Sequence, residues 1–224
     1  MSNNKLLLLY VLVIFIGLFS SYSKSYNSKA SSTFSIPLSQ KTIFIDAGHG
    51  DWDPGKVSEN GILEKDINLK IASYLHQYLE QGGCFVISTR VDDSVLGADK
   101  SIDMQERKSI ANNQDADLLI SVHQNSYTSG SVKGAQVFYY ETSESSKQLA
   151  EFVQGRLIQL DNSNTRVAKS NDSYYILKQT DIPAIIVECG FLSNNSEANL
   201  LSDDSYQKNI AWAIYTGILD YYNN

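Results

Sequence analysis

The chain has 224 residues, with 25 acidic against 18 basic side chains and a net charge of −7. That length holds one domain with a full core and falls short of two ordinary ones. The acidic balance, with no Lys/Arg cluster, argues against a nucleic-acid binder and gives no bulk attraction to an anionic polymer. Two cysteines, Cys84 and Cys189, are too few for a disulfide scaffold. Both lie in apolar runs, where buried free thiols are expected.

In chain order, Leu6–Phe19 is an uninterrupted apolar run preceded by Lys5. It is short for a membrane span and fits the core of an export signal. Residues 1–23 are therefore expected to be a signal peptide or an N-terminal membrane anchor, the only membrane attachment foreseen. A Ser-rich flexible linker follows over 24–36, and one catalytic domain is expected over 37–224. No internal repeat is found, so no appended wall-binding array is expected. From Lys41 the pattern alternates. Thr42–Asp46 reads as a strand. Asp66–Glu80 reads as a helix with Ile67, Ile71, Leu75 and Leu79 on one face, and Gly82-Gly83 stops it. Cys84–Thr89 reads as a strand and Ser101–Asn113 as a helix capped by Ser101. Strands at Leu118–Val122 and Ala135–Tyr140 precede a helix at Ser145–Leu160, with Leu149, Val153, Leu157 and Leu160 inward. Ala184–Glu188 is a strongly apolar strand, and Tyr206–Tyr222 is a closing helix with Ile210, Ile214 and Ile218 inward. This alternation predicts an α/β fold with a mostly parallel sheet covered by helices on both faces.

In such sheets ligands bind beyond the carboxyl ends of the strands. The first strand runs into His49, the third into His123 and the fifth into Glu188. Parallel strands would set all three on one rim. The chain has three histidines, and two hold these positions. His49 lies between Gly48 and Gly50, which permit a sharp bend. His76 sits mid-helix and is assigned no role. Two imidazoles and a carboxylate make a catalytic zinc shell with an open position. Glu64 is favoured as the third donor, with Glu59 and Asp66 as rivals; an acidic residue at a helix start is also ordinary capping. Glu188 follows four apolar residues, where a carboxylate is costly unless paired or working. It reads as a general base, with a structural ion pair as the other reading. Asn125, two residues beyond His123, is expected near the same rim, either to orient substrate or a ligand or to cap a turn. Arg90, at the end of the second strand, is expected in a structural salt bridge.

The runs IFIDAGHGDWDPGKVSENGILEKDINL, LLISVHQNS, KGAQVFYY and IPAIIVECGFLSN resemble the zinc-dependent N-acetylmuramoyl-L-alanine amidases of the Amidase_3 type, across most of residues 41–220. The resemblance implies one Zn²⁺ held by His49, Glu64 and His123. It implies Glu188 as the catalytic glutamate, peptidoglycan as substrate, and hydrolysis of the amide between N-acetylmuramic acid and L-alanine. It chooses Glu64 over Glu59. The compact length and the tail FLSNNSEANLLSDDSYQKNIAWAIYTGIL are similar to the germination-specific spore-cortex amidases, whose product feeds muramic-δ-lactam formation with a separate deacetylase. The protein is then expected to be exported, secreted or anchored at the wall or cortex. The lack of a wall-binding module and the acidic charge point to an accessory protein. Ala47 stands where the family usually has Pro, and Asp51 where it usually has Gly. The residues alone leave two rivals open: a zinc peptidase cutting the stem peptide, and a non-catalytic wall-binding protein.

Overall fold

The computed structural model describes residues 38–224. The expected export segment and linker lie outside the described residues. Six strands form one sheet: β1 (Thr42–Ala47), β2 (Phe85–Ser88), β3 (Leu118–Asn125), β4 (Gln136–Tyr139), β5 (Lys169–Ser170) and β6 (Ala184–Phe191). Their spatial order is β2-β1-β3-β6-β4-β5. Strands β2, β1, β3 and β6 are parallel, while β4 runs antiparallel to β6 and carries β5 parallel beside it. The helices are α1 (Glu64–Gln81), α2 (Lys100–Asn113), α3 (Glu144–Leu160), α4 (Tyr175–Gln179), α5 (Asn195–Leu201) and α6 (Asp204–Asn223). The predicted mostly parallel sheet with helices on both faces is what the chain forms.

Strand alternation sorts the core into two layers. Ile43, Ile45, Leu118, Ile120, Ile185 and Val187 point to one face, where α1, α3 and α6 bury Ile71, Leu75, Val153 and Ile214 against them. Phe44, Leu119 and Ile186 point to the other face, against Ala111 of α2 and Ile176 and Leu177 of α4. Along this second face the chemistry changes at the carboxyl ends. Asp46 pairs in register with Ser121, and His123 with Glu188. Residues paired in a parallel register share a face, so the same alternation that buries Phe44, Leu119 and Ile186 gathers four polar side chains at one rim.

Several boundaries differ from expectation. Strand β3 continues to Asn125 and β6 to Phe191, so His123 and Glu188 sit inside the ladder, held by pairing on both strands. Helix α2 is capped by Asp99, whose side chain accepts from the Ser101 and Ile102 amides; an Asp three residues before the third amide outcompetes Ser101 as the half-turn acceptor. The elements β5, α4 and α5 have two, five and seven residues, too short to show a period. Both cysteines are free and buried, as expected.

Candidate active site

The site begins where β1 ends. Gly48 crosses directly beneath the His123 ring: a Cβ there would stand 2.2 Å from Cε1 and 2.3 Å from Nε2. Only glycine lets strand and imidazole approach this closely. The chain then turns through His49 at φ 64°, Gly50 at 140° and Asp51 at 41°. A histidine in the left-handed region is uncommon and persists only where its surroundings hold it. Here Arg107 Nη2 donates to the His49 carbonyl at 2.9 Å, and the Gly50 and Asp53 amides exchange bonds with each other's carbonyls. Asp51 holds another left-handed position; Asp tolerates that region better than most residues. Its amide donates to Asp93, and its carbonyl accepts from Lys65 Nζ. The Ala47 amide, which a proline here would lack, donates to Thr89 Oγ1 at 3.1 Å.

Two buried arginines fasten this turn. Arg107 on α2 bonds Asp46 at 2.7 Å and Asp103 at 2.6 Å, and also donates to the Ala47 carbonyl. Burial works against its charge, but Asp46 and Asp103 overcome it and push its pKa up. Arg90 does not form the salt bridge expected of it. Its donors go to four backbone carbonyls, of Ala47, Gly48, Lys65 and Asp92. A planar fork of five N–H groups suits a crowded loop of carbonyls better than one carboxylate does.

Glu64 opens α1 and is buried. Its Oε1 lies 3.2 Å from His49 Nε2 and 3.0 Å from His123 Nδ1, and accepts from the Gln124 amide at 3.0 Å. Its Oε2 accepts from the Lys56 amide at 2.7 Å. His49 Nδ1 faces Asp53 Oδ2 at 2.8 Å, which assigns the proton to Nδ1 and leaves the Nε2 lone pair pointing at Glu64. The ligating atoms of His49, Glu64 and His123 all lie within 4.8 Å of one another. Donors about 2.0–2.2 Å from one tetrahedral ion stand roughly 3.3–3.6 Å apart, so this cluster fits one divalent cation. Burial alone would raise the Glu64 pKa and lower that of His123; their contact reverses both, taking Glu64 well below the usual carboxylate range and His123 up to about 9. Glu59 and Asp66, the rival donors, do not join the cluster: Glu59 binds Asn195 at the surface and Asp66 is exposed.

Glu188 flanks the cluster from β6. It is 7% exposed, and burial raises its pKa. No basic side chain forms an ion pair with it among the described residues. Oε1 accepts from the Tyr174 hydroxyl at 3.2 Å, and Oε2 is buried without a partner. A cavity of about 330 Å³ joins His49, Glu64, His123, Glu188, Tyr174 and Asn125. The Asn125 side chain accepts from the Ser126 amide at 2.8 Å, so it caps the turn after β3 while lining the cavity. His76 bonds Ser88 and Glu80 away from the cavity. The sequence reading missed Asp53, Tyr174 and Arg107. Asp103 and Arg107 one turn apart on the inward side of α2 were the one visible signal, since charge there demands a buried partner.

The N-acetylmuramoyl-L-alanine amidase family, Amidase_3, matches residues 43–220. The chain belongs to this family. The germination-specific N-acetylmuramoyl-L-alanine amidase of Bacillus subtilis is 37% identical over 88% of this chain and 86% of its own. The amidase LytC of the same organism is 34% identical over 88% of this chain and 38% of its own. Among solved structures, the CwlD amidase of Clostridioides difficile, in complex with the GerS lipoprotein, is 41% identical with a TM-score of 0.79, over 81% of this chain and 98% of that one. The amidase described here is thus an enzyme that acts on peptidoglycan, and its cavity lies where the fold places a ligand, at the carboxyl ends of its parallel strands.

Proposed function

We propose that this amidase cleaves the amide between the lactyl group of N-acetylmuramic acid and L-alanine with one zinc ion held by His49, Glu64 and His123, and with Glu188 as general base. The observation that carries this is the convergence of three donor atoms on one point beside a buried carboxylate whose second oxygen has no partner. When bound, zinc supplies a Lewis acid that makes a water nucleophilic at neutral pH and stabilises negative charge on the attacked oxygen. The protein residues do the rest. Asp53 fixes the His49 tautomer, and the Lys56 and Gln124 amides fix the Glu64 carboxylate. Glu188 accepts a proton from the attacking water, and burial keeps its pKa above the ordinary carboxylate value, closer to that of a working base. The same carboxyl then gives that proton to the departing L-alanine nitrogen. Asn125 lines the approach and is assigned to substrate orientation.

The relatedness to a germination-specific enzyme supports a role in the spore cortex, where the product would feed muramic-δ-lactam formation. It also supports export, by signal peptide or anchor, to the wall or cortex. The C. difficile relative was solved with a lipoprotein, and that supports an accessory protein for this amidase as well. The test is a product assay on peptidoglycan. Free N-terminal L-alanine should appear with wild-type protein and only at a small residual rate with Glu188→Gln, which still binds zinc. New amino termini only on other residues, or full activity in Glu188→Gln, reject the reading.

A further inference from the structure

We infer that Tyr174 is the positioning residue for Glu188: its hydroxyl occupies Oε1 and so makes Oε2 the oxygen that exchanges the proton. This rests on the assignment of Glu188 as the base. The geometry is one-sided. Tyr174 Oη stands 3.2 Å from Oε1, while Oε2 is buried and unpartnered. A buried carboxylate oxygen without a donor is costly, and it is also the oxygen free to take a proton. Both residues line the same cavity as the His49–Glu64–His123 cluster.

Tyr174 is held as a rigid fixture. Its ring meets Phe138 of β4 edge-on, with centroids 5.5 Å apart. Its backbone amide, with the amide and hydroxyl of Ser173, donates to the Asn171 side chain, and this turn places Tyr174 as the residue preceding α4. A phenol locked at both ring and backbone gives the carboxylate one orientation at little entropic cost. Burial and the neighbouring Glu188 charge push the Tyr174 pKa up, so it stays a donor throughout the cycle. The proton balance follows. Water gives a proton to Oε2 as its oxygen bonds to the carbonyl carbon; Oε2 returns it to the nitrogen as the carbon–nitrogen bond breaks. Tyr174 keeps its own proton and acts on the reaction only through Glu188.

The experiment is Tyr174→Phe in the full-length, zinc-loaded protein, alone and combined with Glu188→Gln. Phe keeps the ring and its contact with Phe138 and removes only the hydroxyl. A hydrogen bond to an ionised group predicts a loss of about tenfold to a hundredfold in kcat. KM and zinc content should stay at wild-type values. In the Glu188→Gln background the same substitution should cause no further loss of the residual rate, since residues acting as a unit are not additive. An unchanged kcat in Tyr174→Phe, or a loss of equal size in both backgrounds, overturns the inference. A fully active Glu188→Gln instead overturns the base assignment, so the two failures are told apart.

Discussion

The contact between Gly48 and His123 offers a sharp test of the site. Gly48 has no positive φ, so the backbone there accepts an alanine and the whole effect of Gly48→Ala is steric. The added Cβ would sit 2.2 Å from His123 Cε1, 2.3 Å from Nε2 and 2.7 Å from Nδ1. Ordinary carbon contacts need about 3.5–4.0 Å, so the ring must retreat by roughly 1 Å or more. The strand beneath it is pinned by Arg90 and Arg107, which bond the carbonyls on either side, so the imidazole gives way. Its Nδ1 then leaves the 3.0 Å contact with Glu64. A displacement of this size at a reacting centre costs about a hundredfold in rate. It should weaken metal binding by a comparable factor. The assays are zinc titration with a competing chelator and release of N-terminal L-alanine. Stability should fall by about 1–3 kcal/mol from the overpacking, a cost that the restricted unfolded chain offsets only in part. A Gly48→Ala protein with wild-type metal affinity and rate would refute the geometry.

Three further outcomes follow from the buried charges and the turn. Arg107→Met leaves Asp46 buried without its cation and should cost about 3–5 kcal/mol in urea unfolding; a cost under about 1 kcal/mol would show that Asp46 is compensated elsewhere. Burial alone would raise the Asp46 pKa, but Arg107, His123 and Ser121 hold it below its usual 3.8. A carboxylate with a depressed folded pKa stabilises the fold above its unfolded value and loses that stabilisation as pH falls through the folded one. Unfolding free energy of the wild type should therefore fall with a slope below about pH 4 that is reduced in Asp46→Asn; equal slopes contradict the pairing. Ala47→Pro deletes the amide that bonds Thr89 Oγ1. It should destabilise by about 1 kcal/mol, and by less when combined with Thr89→Val; additivity of the two changes would count against the bond.

The parts of this amidase legible in its sequence were those with a period or a distinctive residue type. Ile67, Ile71, Leu75 and Leu79 marked the buried stripe of α1, and all four are buried. The apolar run ending in Glu188 marked the central strand and singled out a carboxylate needing a reason. Spacing favoured Glu64 only modestly over Glu59 and Asp66, because three acids near a helix start differ only in where the preceding loop folds. The loop from His49 to Glu64 is set by left-handed residues and by amides that find Glu64 Oε2 and Asp53, and none of this leaves a periodic trace. Arg90 was misread because its partners are carbonyls, which every residue carries. Tyr174 was invisible for a similar reason: it precedes a five-residue helix, and only the fold brings its hydroxyl to a glutamate fourteen residues away.

The central claim is that His49, Glu64 and His123 hold one catalytic ion. Protein purified without added metal, stripped with a chelator and then titrated with zinc, should regain amidase activity in step with one bound ion per chain, while His49→Ala, Glu64→Ala and His123→Ala neither bind the ion tightly nor recover. Release of N-terminal L-alanine at the full rate by the stripped protein, or stoichiometric tight zinc in all three variants, would contradict it.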